Sequence, residues 1–117
     1  MQYMILIYSN PADRPKPGTA EFDALMRDYG QLGADLRAAG AHISGDALLG
    51  VDTARTLRGR GEGAVVMDGP FAETREHLGG YYLIEAPDME AALTWARRIP
   101  TAAHGAVEVR QLAMLGL

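Results

Sequence analysis

Two runs in this chain, "MILIY" at residues 4–8 and "YYLIE" at residues 81–85, are apolar on successive residues rather than on alternate ones. A strand shows successive side chains to opposite faces, so strands of this kind need cover on both sides of their sheet. That need constrains the fold more than any other feature. Tyr, Ile and the shortness of the runs favour strand over buried helix. The first run ends at Asn10 and Pro11, and "SNPADRPKPG" adds two more prolines and a glycine. This stretch is a loop, since it suits neither a helix nor a central strand.

Two helices are predicted. Thr19 can cap the first. Phe22, Leu25, Met26, Tyr29, Leu32, Gly33 and Leu36 then recur at helical spacing and form one apolar stripe, and Gly40 stands where such a helix stops. "AHISGDALLG" reads as extended with a glycine break. "TARTLRGR" and "AVVMD" read as a hairpin closed by "GRGEG". "GGYYLIEA" is a strong strand. Pro87 and Asp88 introduce a second helix from about Met89 to Ile99, with Pro100 ending it, and "AVEVRQL" is a last strand. The order β-α-β-β-β-α-β implies a ferredoxin-like α+β sandwich, βαββαβ with an added hairpin, as one domain over residues 1–117. Both helices then cover one sheet face. The simplest cover for the other is a second copy of the chain, so a homodimer packed sheet on sheet is expected.

The absence of cysteine excludes disulfides, thiolate chemistry and sulfur-ligated zinc. A net charge of −4 lacks the footprint of a nucleic-acid binder. Ten arginines against the single Lys16 still leave local anion binding open. "MQYMILIYSN" has no basic n-region, and its apolar run is too short for a signal peptide or a membrane span, so a cytoplasmic protein with no membrane partner is expected. No phosphate loop, nucleophile elbow or dinucleotide fingerprint is present, and no cofactor or metal is expected.

The chemistry concentrates in "DGPFAETREHLGG", residues 68–80. Asp68 ends an apolar run read as a central strand, from whose C-terminal end its carboxylate can face a cleft as acid, base or ligand. The plainer alternative is a rigid turn, with Asp68 bonded to turn amides and Phe71 plugging the core edge. Gly69 and Pro70 shape the backbone there. If "AETREHL" makes a turn of helix, Glu73 and His77 share a face, and Asp68, Glu73 and His77 become a weak metal alternative. His77 can titrate near neutral pH beside Asp68. Gly79 and Gly80 suit a hinge, a close ligand approach or a bulge. Tyr29 reads as a core residue whose hydroxyl reaches an edge. His42 and His104 read as surface or structural residues, and Arg55, Arg58 and Arg60 as a solvated strand edge.

"DGPFAETREHLGGYYLIEAPDMEAALTWARRIP", with "MQYMILIY", "LRAAG", "GDAL" and "AVEVR", closely resembles the YCII-related superfamily in its DGPF-domain branch. The resemblance covers almost the whole chain and implies a dimeric α/β-barrel of ferredoxin-like topology. It also implies a cleft histidine–aspartate pair, with the histidine on the first helix about three turns before its closing glycine. This chain has Tyr29 at that place, which is a departure from the pattern. Asp68 is the position carried over most directly. Relatives in this branch look like neighbours or fusion partners of extracytoplasmic-function sigma factors, which implies a sensing or accessory role. The functional expectation is therefore a small-molecule cleft at the DGPF segment. Asp68, His77 and Tyr29 are the acid–base candidates, and Gly69, Pro70, Phe71, Glu73 and Arg75 line or rim it. The alternative is a regulatory interaction module linked to sigma-factor control.

Overall fold

The computed structural model describes all residues from Met1 to Leu117. Strand β1 (Gln2–Ser9) leads through the proline loop into helix α1 (Ala20–Ala38). Thr19 Oγ1 accepts from the Phe22 amide and caps the helix, and Gly40 closes it with φ of 69°. β2 (His42–Ala47) follows, then the hairpin strands β3 (Arg55–Arg58) and β4 (Val65–Asp68). β5 (His77–Glu85), α2 (Met89–Ala96) and β6 (Gly105–Gln111) complete the chain.

Four strands form one antiparallel sheet in the order β2-β5-β1-β6. This is the ferredoxin-like α+β arrangement, and the β3–β4 ribbon is inserted between its second and third strands. Asp68 therefore ends a strand of the separate ribbon, not a central strand of the main sheet.

Helix α2 stops at Ala96, three residues before the expected Ile99. The amides of Arg98 and Ile99 bond to Trp95 and Ala96 three residues back, which tightens the last turn. Ile99 is then extended, because Pro100 crowds the helical conformation of the residue before it. β5 starts two residues earlier than "GGYYLIEA" suggests. The pairing with β1 slips between Ile7 and Tyr8, so Gly79 falls in a bulge, one of the roles foreseen for the glycine pair. "AETREHL" forms no helical turn: residues 69–76 are irregular and His77 opens a strand. So short a segment gives little return for nucleating a helix.

The core lies between the helices and one sheet face. Tyr3, Ile5 and Ile7 of β1 alternate inward and meet Ile84, with Leu32 and Leu36 of α1 and Ala92 and Ala96 of α2 above them. Only 15 of 117 residues are buried, so this core holds a minority of the apolar side chains. On the opposite face the alternate residues Met4, Leu6 and Tyr8 are half-exposed, beside Leu83 and Tyr81 of β5. The ribbon is barer still: Leu57 is 62% exposed and Val66 63%. Its reach makes the molecule flat, 47 × 41 × 18 Å. The radius of gyration is 16.0 Å, against about 13 Å for a compact chain of this length.

Candidate functional site: a cleft under the first helix

A cleft of about 590 Å³ opens between α1 and the β2–β5 edge of the sheet. That volume lies within the range of small-molecule sites. Its outer wall is apolar, made by Phe22, Leu25 and Met26 on the first turns of α1. Tyr29, Gly30 and Gly33 of α1 also line the cleft, with Tyr82 of β5 and His42 of β2. Arg14 from the proline loop, Ser9 from the end of β1 and Thr101 close one end.

Gly30 and Gly33 are one helical turn apart inside α1. A glycine within a helix costs roughly 1 kcal/mol relative to alanine. At Gly30 an added Cβ would meet nothing within 4 Å. No crowding explains this glycine, which is exposed at the cleft's lining. Gly45 answers a different need, since a Cβ there would come within 2.8 Å of the Tyr82 ring. The ring lies over β2 at Gly45 and meets His42 edge-on, with centroids 6.2 Å apart.

Tyr29 Oη and Thr101 Oγ1 are 2.6 Å apart, and Thr101 is 8% exposed. Burial pushes the Tyr29 phenol above its usual range, while the bond to Thr101 and the positive charge of Arg14 act in the opposite sense. Burial also raises Tyr82, helped by Tyr29 and opposed by Arg37. Both phenols are neutral at physiological pH and able to donate. Arg14 Nε donates to Ser9 Oγ at 2.7 Å, which ties the proline loop to the end of β1.

The expected site residues do not gather in the single chain. Tyr29 alone among them lines this cleft. Asp68 stands on the ribbon with its side chain 88% exposed, 3.0 Å from Arg55 Nε. It does not bond to its own turn amides. The Gly69 amide instead donates to the Ala54 carbonyl, and Thr56 Oγ1 donates to the Gly69 carbonyl. Phe71 is 69% exposed and plugs no core; the Arg58 guanidinium lies over its ring at 4.6 Å. Pro70, Glu73 and Arg75 are exposed. His77 is half-buried, and its Nε2 lies 2.8 Å from the Thr74 carbonyl. A carbonyl only accepts, so Nε2 carries the proton and the buried Nδ1 is left without a partner. No three acidic or histidine side chains come together in a metal-binding group, so Asp68, Glu73 and His77 make no such cluster.

Several cleft residues escaped the sequence reading. Arg14 sat in a stretch notable only for proline, Arg37 lay off the apolar stripe, and His42 had no sequence neighbour to suggest a role. One signal was available: two glycines inside an otherwise good amphipathic helix need a reason.

The architecture defines a class, a ferredoxin-like α+β domain with a cleft between its first helix and its sheet edge. A solved structure shares that fold. It is 5-chloro-2-hydroxyhydroquinone dehydrochlorinase from Burkholderia phenoliruptrix, in complex with 2,5-dihydroxybenzoquinone, with a TM-score of 0.50 and 16% identity over 96% of this chain and 93% of that one. Within that class, the chain belongs to the YCII-related family, whose domain matches residues 1–115. A protein of Rhizobium meliloti, described as uncharacterised, is 35% identical over 116 residues, spanning 97% of this chain and 94% of the relative. No helix is long and apolar enough to cross a membrane.

Proposed function

We propose that the protein binds a small molecule in the cleft between α1 and the β2–β5 edge, with the neutral Tyr29 phenol as its central hydrogen-bonding group. The observation that carries this reading is the cleft itself, about 590 Å³, with apolar side chains of α1 on its wall and the paired hydroxyls of Tyr29 and Thr101 in its lining. The solved structure of like fold holds a small quinone, so such a fold can take a compact ligand. If a reaction follows binding, Tyr29 acts as a neutral hydrogen-bond donor to the substrate, since burial disfavours its anion and keeps the phenol protonated. The test is native mass spectrometry of protein taken directly from cells, followed by identification of any small molecule released on denaturation. A stoichiometric molecule on the wild type and none on Gly30→Leu supports the reading. An equal load on both variants overturns it.

The same proposal takes the working form as a homodimer packed through the open sheet face. Support comes from the half-exposed row Met4, Leu6 and Tyr8 and from the bare ribbon. An acid–base role for Asp68 and His77 at this cleft requires that assembly, because Asp68 lies on the ribbon and the cleft under α1. A second reading, an interaction module, draws on the ribbon alone. A sigma-factor partner would need Leu57 and Val66 to stay uncovered after dimerisation, and light scattering combined with surface labelling of the ribbon separates the two.

A further inference from the structure

We infer that the ligand of the cleft is an organic acid, an apolar or aromatic body bearing an ionised oxygen, met by Arg14 and Arg37. This rests on the small-molecule reading above and names the chemistry of the molecule bound.

The first ground is charge. The ion pairs of the chain join Met1 to Glu85, Arg55 to Asp68 and Arg98 to Asp35. Arg14 and Arg37 take part in none. The one carboxylate lining the cleft is Asp46, whose Oδ1 accepts from the Ala47 amide. Two guanidinium groups against one carboxylate make the cleft positive in a chain whose net charge is −4.

The second ground is the space made for these two groups. Arg14 Nη2 lies 3.1 Å from where a Cβ of Gly79 would stand. Arg37 folds back along α1, with Nη1 3.0 Å from where a Cβ of Gly33 would stand. A side chain at either glycine would press on the guanidinium. Both guanidinium groups thus lie against bare glycine backbone at the cleft wall, Arg14 tied there by its bond to Ser9 and Arg37 exposed with its donors free. The phenols of Tyr29 and Tyr82 line the same cleft as the two cations. Guanidinium forks and phenol hydroxyls both suit ionised oxygens. A cation would be repelled, and Phe22, Leu25 and Met26 favour a body with apolar surface over an inorganic ion.

The experiment is a calorimetric titration of the full chain at low ionic strength with benzoate, with para-nitrophenolate and with benzamide, a neutral analogue of benzoate. Either anion is expected to bind at least about tenfold tighter than benzamide, as hydrogen bonds to a charged oxygen are stronger than those to a neutral amide. The tighter of the two identifies the oxygen as carboxylate or phenolate. Arg37→Gln should reduce that preference, and Arg14→Gln should do so as well. Arg37 is exposed, so its replacement keeps the test valid if loss of the Arg14–Ser9 bond disturbs folding. Equal binding of anions and benzamide overturns the inference, as does a preference unchanged in both variants or no anion binding up to tens of millimolar. Gly30→Leu separates the two levels. If it abolishes benzamide binding in a protein without anion preference, only the acid fails; if it changes nothing for any ligand, the cleft reading fails too.

Discussion

At the residue scale, Gly30 and Tyr29 show opposite relations between stability and the cleft. Gly30 leaves helix stability unused, and nothing opposes a methyl group there. Gly30→Ala should therefore stabilise the fold by about 0.5–1 kcal/mol, read as a higher urea midpoint with an unchanged slope. Tyr29 does the reverse, because its hydroxyl partners the buried Thr101. Tyr29→Phe should cost about 1–2 kcal/mol by leaving that hydroxyl alone. The same residue yields a pH prediction. Its raised pKa means the folded state holds the phenolic proton longer than the unfolded chain, so its stabilising contribution is intact below about pH 10 and is lost as pH rises beyond. Ultraviolet titration should show two phenols, Tyr29 and Tyr82, ionising later than a free tyrosine, and one late step should vanish in Tyr29→Phe. Asp68 is a contrasting case. Its pair with Arg55 is exposed, so Asp68→Asn should shift stability by no more than about 0.5 kcal/mol. Lost ligand binding in that variant would then report function rather than folding.

At the element scale, the helices are anchored by features readable in sequence and joined by one that is not. Thr19 and Asp88 cap α1 and α2 as their positions suggested, each accepting from an amide three residues on. The tie between the two helices is Arg98 to Asp35, from just past the end of α2 to the last turn of α1. No local pattern reveals such a pair, since the partners are 63 residues apart. Hydrogen bonds from Arg98 and Gln31 hold the Asp35 carboxyl below the usual carboxylate range. A depressed folded pKa stabilises above the ordinary carboxylate value and ceases to do so as pH falls through the folded one. The wild type should thus exceed Asp35→Asn in urea midpoint at pH 6, and the gap should close as the pH is lowered toward 3. The DGPF segment errs the other way. Its spacing allowed a helical turn, yet eight irregular residues lead off the ribbon instead, because what surrounds a segment so short decides its conformation.

At the scale of the whole molecule, the flat shape and small core set the terms. Met4, Leu6 and Tyr8 alternate with core residues on β1, so the strand is two-sided as its composition demanded, while the single chain covers one side. Val66 on the ribbon is 63% exposed, so Val66→Lys should leave a monomer's stability nearly unchanged. If the ribbon belongs to an interface between copies, the same substitution should move the light-scattering mass toward that of one chain. An unchanged mass for Val66→Lys, together with a monomeric wild type, would remove the dimer from the proposal.

The sequence by itself determined the order of elements, the caps, the helix stripe, the inserted hairpin and the need for cover on both sheet faces. Each of these follows from local periodicity or from the conformational limits of proline, glycine and capping side chains. The tertiary structure alone decided which polar groups meet. Arg14, Tyr29, Tyr82 and Arg37 come from a loop, a helix, a strand and that helix's last turn. They share one cleft because α1 folds back over the sheet edge, while Asp68, the most conspicuous acid in the sequence, is carried away by a ribbon whose direction no local pattern specifies.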